Sequence, residues 1–582
     1  MLRKLLSWAV SASHRRRARN GATLAVARAR APTSLPAAGL RAGTLYALVA
    51  LLVPSFFFLY GLGAFPLRDN NEGLYAEIGR EMLASGQYLV PHLNGVPYIE
   101  KPPLLYWLVS LSMSVLGPTP VAARLVSALP MLALCAALFQ FCRVHVGARA
   151  GCIASAGLAS ALPVALLSHV VLFDPLLTAL LGASLLCFLH SYLARSVRAY
   201  RAAALLLALA VLEKGAVALM LAGGTVALFL LLMRDRAGWR RLLDPAALAI
   251  LLAVAAPWHV AAALRQDGFS WFYFVNEHLL RFLGRRLPDD YHHGPAWFYL
   301  PRLPLMLLPW TPFLLLLARP RQRTGPERTI VRFCQAATLF PLLFFSLSQA
   351  KADYYMLVVA PALALWLALE TVARLDRHDR GLALCWGGAA ALAVVVLVAT
   401  PNGEAREWSM LSAGLLALGW VALALAGARF FRQLPAPGAR EAALLAVALL
   451  AAPSLALVCR VAAERGARDS SAYVARIVQQ QARPGMAVFI YRDFEDVFST
   501  LPFYLGRPVP VVDSASRDLQ FGCRTAPASY CIPASEFLGM LAGRPVAVAV
   551  QARRADEFRA LAGSRRWHVE WVGDKMVFFD AQ

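Results

Sequence analysis

The chain has 582 residues, of which 59% are hydrophobic and only 16% charged, against roughly 45–50% and about 25% in soluble domains. The apolar excess falls in repeated runs of membrane-spanning length, which excludes a soluble enzyme. The formal net charge of +23 would suit a nucleic-acid binder, but the basic residues lie mostly in short loops between apolar runs. There they report topology, and no nucleic-acid-binding module is recognisable.

Residues 1–42 read as a basic tail. Arg3, Lys4, Arg15, Arg16, Arg17, Arg19, Arg28 and Arg30 occur there with no acid. The run Leu5–Val10 is short, and an arginine cluster follows it in place of a cleavage site, so the tail is expected to stay cytoplasmic. Residues 43–463 then carry the membrane part. The first span is about 43–64, followed by a polar stretch, 65–102. Residues 103–117 are apolar but short, and Gly117, Pro118 and Pro120 separate them from the next run. They are expected to form an interfacial helix within an outer loop, 65–120. Further spans are expected near 121–142, 151–171, 175–194, 202–212, 216–233, 243–264, 301–318, 330–349, 354–373, 381–400, 408–428 and 441–461. That gives about 13 transmembrane helices. The run 202–212 is too short for a full crossing by itself.

Charge bias supports this count. With the N-terminus inside, six inner loops hold 20 arginines, from Arg143 and Arg149 to Arg429, Arg432 and Arg440. The odd count leaves 464–582 outside as a small periplasmic α/β domain. Its expected strands are Met486–Tyr491, Val509–Val512, Val546–Val550 and Met576–Phe579, with helical patterns at 470–482 and 554–562. Seven of nine cysteines lie in or beside spans, as small apolar fillers. Cys523 and Cys531 share one loop of the outer domain and are expected to pair in an oxidising compartment.

This topology brings most membrane-proximal carboxylates to one face. Asp69 and Glu72 lie in the first outer loop, followed by Tyr98, Glu100 and Lys101. Asp174 heads one span, and Glu213–Lys214 form a tight outer hairpin. Residues 265–300, with His278 and Arg281, form the longest outer connection. Lys351, Tyr354 and Tyr355 sit at a further outer end. Ionisable groups at this depth are functional candidates. Each also has a plain structural reading: Asp69 and Glu72 as helix caps, Asp174–Pro175 as a helix start, Lys101 as a snorkelling cation, and the tyrosine pair as an interfacial belt. His292 and His293 read as loop residues. A lipid-phosphate-linked substrate would suit the whole set. Lys101, Lys351 and Arg281 would bind its phosphate, and a carboxylate, Asp69, Glu72 or Asp174, would orient or deprotonate the acceptor. Glu100 and His278 have the ligand types for a divalent ion such as Zn or Mg/Mn, without a defining spacing.

The stretch Glu72-Gly73-Leu74-Tyr75-Ala76-Glu77-Ile78-Gly79-Arg80-Glu81-Met82-Leu83 resembles the first-loop signature of the aminoarabinose lipid A transferase family and of wider protein-mannosyltransferase-like membrane transferases. So does Asn94-Gly95-Val96-Pro97-Tyr98-Ile99-Glu100-Lys101-Pro102-Pro103-Leu104-Leu105-Tyr106-Trp107. Glu277-His278-Leu279-Leu280-Arg281-Phe282 and Gly294–Pro301 are similar to the family's large outer loop. The resemblance covers about 43–373. It implies a GT-C glycosyltransferase fold with a periplasmic active site, an undecaprenyl-phosphate-linked sugar donor and a lipid A or other envelope-lipid acceptor. It places Glu100, Lys101, Tyr98, Asp174, His278 and Tyr355 where donor phosphate, metal or sugar is contacted. Two positions depart from the pattern. The family's Asp before Glu72 is Asn71 here, with Asp69 two residues earlier as a possible substitute. The usual Lys-Leu-Pro is Lys351-Ala352-Asp353.

Two rival readings remain at this level. A protein O-mannosyltransferase-like enzyme would keep the chemistry but use a hydroxyl acceptor, which needs a strong base. A lipid-linked sugar transporter would place polar residues at the bilayer midplane, often on repeats; here they cluster at one face and no repeat is seen.

Overall fold

A computed structural model describes residues 37–289, 293–318, 321–377, 379–399, 410–481, 483–525, 530–541 and 545–580. Most of the basic tail, residues 1–36, and His292 fall outside that set. The chain divides into two units, 1–44 and 45–582. Of the first, only the start of the helix Ala37–Leu59 is described.

Among the described residues, seven helical stretches are long and apolar enough to cross a membrane. They are Pro120–His145, Phe173–Ala194, Ala216–Met233, Pro245–Arg265, Gly325–Leu347, Asp353–Leu375 and Pro437–Glu464. Their ends follow local chemistry. Thr119 accepts a hydrogen bond from Ala122 N–H, with Pro120 in the first turn, and Asp244 caps Ala247 N–H in the same way ahead of Pro245. Leu104–Leu116 is a separate short apolar helix. It packs against Asn71–Ser85, which starts at the Asn70 cap and ends at Gly86 in the left-handed conformation.

Three expected spans are built differently. Residues 301–318 form no continuous helix, only a turn at Arg302–Leu305 and a 3₁₀ segment, Thr311–Ala318. Pro301, Pro304, Pro309 and Pro312 each lack an amide hydrogen, so a regular ladder cannot run through them. The 151–171 stretch is broken at Ala161, ahead of Pro163, into Ala148–Ser160 and Leu162–Leu167. The short run 202–212 is extended at both ends into Val197–Lys214, about 27 Å of helix at 1.5 Å per residue. The charges at its two ends, Arg198, Arg201, Glu213 and Lys214, hid that length.

The C-terminal part contains a six-stranded sheet in the order β5-β4-β3-β6-β8-β7. The strands are β3 (Ala487–Tyr491), β4 (Val511–Val512), β5 (Cys531–Ile532), β6 (Val546–Gln551), β7 (Trp567–Val572) and β8 (Lys575–Asp580). β3, β4, β5 and β6 run parallel, while β8 is antiparallel to both β6 and β7. Side chains alternate between faces along each strand. Phe489, Tyr491, Val548, Val550 and Phe578 meet Phe537 and Phe558 on the covering helices. Val488, Ile490, Ala547, Ala549, Val577 and Phe579 face the other way, into one core with Leu74, Ile78, Met82, Tyr106 and Val109 of the first loop. The sheet is therefore seated on the helices Asn71–Ser85 and Leu104–Leu116. Gly73 permits that seating: a Cβ there would lie 2.6 Å from both Ser499 Oγ and Thr500 Cγ2. Cys523 and Cys531 form a disulfide with Cα atoms 5.7 Å apart.

Candidate active site

The residues before Lys101 are held from two sides. β1 (His92–Leu93) and β2 (Val96–Pro97) form a small hairpin turned by Asn94 and Gly95, both at positive φ, the preferred chemistry for a tight hairpin turn. The Asn94 side chain donates to Val509 O and accepts from Val509 N, both at 2.7 Å, which clamps the hairpin to the C-terminal domain. Pro102 and Pro103 then lead into Leu104–Leu116. Glu100 and Lys101 sit on the fixed segment between.

A π-helical turn, Trp271–Leu280, brings Glu277 and His278 to the same place; such turns are frequent at functional sites. Arg286 donates from Nη2 to Glu100 Oε1 at 2.6 Å and from Nε to Glu277 Oε1 at 2.5 Å. Arg281 Nη1 donates to Glu277 Oε2 at 3.1 Å. Lys101 Nζ lies 3.4 Å from Glu277 Oε2 and 3.7 Å from Glu100 Oε2, and Tyr98 OH lies 3.3 Å from Glu100 Oε2. Three cations thus surround two carboxylates. Burial alone would push the Glu277 carboxyl up, but Lys101, Arg286 and Arg281 together outweigh it and hold the group at about 2.

A depressed carboxylate contributes stability that is present above its ordinary value of 4.5 and is lost as the pH falls toward about 2. Thermal unfolding in detergent should therefore drop in temperature as the pH falls from 5 toward 3. Glu277→Gln should be less stable at pH 7 and should lose less on acidification. An unaltered acid limb in that variant would remove Glu277 as its source.

Asp174 stands at the start of Phe173–Ala194, and both its oxygens accept from Lys214 Nζ at 2.7 Å. The Lys214 ammonium also lies 4.8 Å from the Tyr355 ring centre and 5.9 Å from that of Tyr354. Ala216, two residues after Lys214, donates from its backbone N to His278 Nε2 at 3.2 Å, beside Glu277, so this pair adjoins the Glu100–Glu277 cluster. Gly215 follows Lys214 at φ +69, where a Cβ would come within 2.4 Å of His278 Nε2 and Tyr273 OH. Asp518 enters from the C-terminal domain. Glu495 holds its loop by accepting from Ser516 Oγ, Arg517 N and Asp518 N. Burial and the charges of Glu100 and Glu495 push the Asp518 carboxyl well up. Arg286, Glu277 and Asp518 carry the site as much as the residues expected from sequence, and no motif marked Arg286 or Asp518.

The other expected residues are committed elsewhere. Asp69 accepts from Lys575 Nζ at 2.5 Å, Ser471 Oγ at 2.9 Å, and Thr500 N and Oγ1 at 2.8 and 2.7 Å. It joins the first loop to the C-terminal domain. Asn71 itself accepts from Tyr75 OH at 3.0 Å. Glu72 forms a two-pronged pair with Arg124, at 2.8 and 3.0 Å. Arg124 also donates to the carbonyls of Leu62, Phe65 and Pro66, which ties three segments together. Lys351 Nζ donates to the carbonyls of Phe345 and Ser346 at 2.8 and 2.9 Å, closing the end of Gly325–Leu347.

The metal expectation fits poorly. His278 Nδ1 is 2.6 Å from Tyr273 O, so Nδ1 carries the proton, and Nε2 accepts from Ala216 N at 3.2 Å. Glu100 is bound to Arg286. Among the described residues, no three His, Cys, Asp or Glu side chains come together as a ligand set. A divalent ion at Glu100 and His278 would have to displace a guanidinium and a backbone amide.

Comparison with known proteins finds the same kind of molecule. Residues 100–275 match the family model described as dolichyl-phosphate-mannose-protein mannosyltransferase. An undecaprenyl phosphate-alpha-4-amino-4-deoxy-L-arabinose arabinosyl transferase of Pseudomonas aeruginosa is 32% identical over 420 residues, covering 69% of this chain and 75% of that protein. The protein of the same name from Shewanella sediminis is 30% identical over 346 residues, covering 57% of this chain and 62% of that one. The crystal structure of ArnT from Cupriavidus metallidurans in the apo state superposes with a TM-score of 0.75 at 25% identity, covering 93% of this chain and 98% of that one. The structure of that protein bound to undecaprenyl phosphate gives the same TM-score at 24% identity, covering 94% and 98%.

Proposed function

The chain belongs to the undecaprenyl phosphate-aminoarabinose arabinosyl transferase family, and from that premise we propose that it transfers 4-amino-4-deoxy-L-arabinose from undecaprenyl phosphate to a lipid A phosphate at the periplasmic face of the inner membrane. It is a membrane glycosyltransferase that uses a polyprenyl-phosphate-linked sugar. The observation that carries the reading is the set of three cations, Lys101, Arg281 and Arg286, against two carboxylates, Glu100 and Glu277. Its excess positive charge suits a phosphate. In the reaction an acceptor phosphate oxygen attacks the anomeric carbon, and the bond from that carbon to the undecaprenyl phosphate oxygen breaks. The leaving phosphate gains one negative charge as it departs. Lys101 and Arg281, the more accessible of the three cations, meet that charge. Tyr98 lies beside Glu100, and the Tyr354–Tyr355 pair beside Lys214.

The acceptor is chosen by proton bookkeeping. A phosphate is already anionic and needs no base, whereas a protein hydroxyl does. Asp174, the expected base that lies in this cluster, has both oxygens on Lys214. That supports a phosphate acceptor over a serine or threonine.

Thirteen crossings complete the reading. To the seven long helices are added six stretches: 37–59, 148–167, 197–214, 302–318, 380–399 and 410–433. The site then lies at the outer face, beside a periplasmic C-terminal domain whose disulfide suits that compartment. A reporter active only in the periplasm, fused after Gln582, should be active; a cytoplasmic signal would overturn the count. Lipid A from a deletion strain should lack aminoarabinose and regain it with this chain. Unmodified lipid A after complementation would overturn the function.

A further inference from the structure

One buried acid at the site lacks a close hydrogen-bond partner. Glu213 is 0% exposed, and neither of its carboxyl oxygens has a hydrogen-bond partner, although the Leu105 backbone amide lies near the group. Such groups are rare and costly. Its neighbour in sequence makes no hydrogen bond to it, because the Lys214 ammonium donates to both oxygens of Asp174. Its place adds a second penalty. Glu213 occupies the last turn of Val197–Lys214, where the negative end of the helix dipole disfavours an anion.

The surroundings suit a cation. Glu213 acts electrostatically on the Tyr106 hydroxyl, which is also fully buried and without a partner. Around Tyr106 stand the rings of Tyr75, Tyr98 and Phe173, at 6.2, 6.5 and 5.5 Å between centres. A carboxylate beside a group of aromatic rings is a recurring receptor for an ammonium ion. Lys214, the next residue, carries the ion pair to Asp174, which ties this acid to the site.

We infer that Glu213, with the Tyr106 hydroxyl, binds the ammonium group of the transferred amino sugar and selects it over a neutral pentose. The inference rests on the donor proposed above. An amino pentose supplies the missing positive charge and donors to both unpartnered groups. A hydroxyl in place of the amine leaves the buried carboxylate without a counter-ion, the kind of mismatch that gives strong discrimination.

The test uses the full-length protein in lipid nanodiscs with lipid A as acceptor. Two donors are compared: undecaprenyl phosphate carrying 4-amino-4-deoxy-L-arabinose, and the same lipid carrying L-arabinose. Glu213→Gln should lower kcat/KM for the amino donor by about ten- to a hundredfold, the loss expected for one charge-assisted hydrogen bond. The rate with the neutral donor should be unchanged or higher. Tyr106→Phe, which keeps the ring, should lower the amino-donor rate by a smaller factor and again spare the neutral donor. An equal fall on both donors, or no fall on the amino donor, would overturn the assignment. A wild-type protein that moves neither sugar would instead overturn the donor reading, and this inference with it.

Discussion

Lys101→Ala is expected to lower transfer by about a hundred- to a thousandfold while the protein still folds. Removing one preorganised group that meets developing charge costs about 2.7–4 kcal/mol in comparable sites. The geometry separates this from a folding defect. Glu277 keeps Arg286 and Arg281 when Lys101 is lost, and Glu100 keeps Arg286. No carboxylate is left unpaired. Nor does the side chain merely reach for the interface, since its ammonium is drawn inward, to 3.4 Å from Glu277. The rate should fall mainly in kcat, with elution profile and melting temperature near wild type. Near-normal turnover would leave Lys101 as a structural cation.

Glu72→Gln should act in the opposite sense, on stability first. Arg124 is 0% exposed and would be left with carbonyl acceptors but no counter-charge. Breaking a buried pair from one side costs about 3–5 kcal/mol. The variant should give little monodisperse protein and a much lower melting temperature, while activity per folded molecule stays near wild type. Asp69→Asn should likewise act on stability: its amide oxygen can still accept from Thr500, but the amide nitrogen replaces the oxygen that accepts from Ser471 and Lys575, and Lys575, 2% exposed, loses its anion. If either carboxylate were instead the group that deprotonates the acceptor, its isosteric change would lose activity and keep stability. Specific activity measured beside thermal unfolding distinguishes the two outcomes.

The partners of these two carboxylates show where sequence reading stops. Buried carboxylates look alike until their partners are known. Those of Asp69 and Glu72 lie 506 and 52 residues away. The signature Glu72-Gly73-Leu74-Tyr75-Ala76-Glu77 is largely scaffold. Glu77 pairs with Arg80, Arg80 reaches Gly506 O, and Glu81 accepts from Gly95 N. Lys101, Glu100, Asp174, His278 and Arg281 were legible because hydropathy puts them at one face and because they sit in motifs. Arg286 resembled one more loop arginine beside Arg285. Asp518 arrives from a different domain. Apolar spans were readable because lipid demands them. The stretch 301–318 was not, because its prolines leave hydropathy intact while breaking the helix. In the C-terminal sheet, β3, β4, β6 and β8 were visible as apolar runs. β5 has only two residues, and β7 carries His568 and Glu570 at the sheet edge, so neither stood out.

Transfer in a defined system reads the proposed reaction itself. Purified protein in nanodiscs would be given undecaprenyl phosphate-linked 4-amino-4-deoxy-L-arabinose and lipid A, and both lipids would be followed by mass spectrometry. Lipid A should gain one aminopentose on a phosphate for each undecaprenyl phosphate released, and Lys101→Ala should slow both together. Release of undecaprenyl phosphate without modified lipid A, or sugar found on a protein hydroxyl, would contradict it.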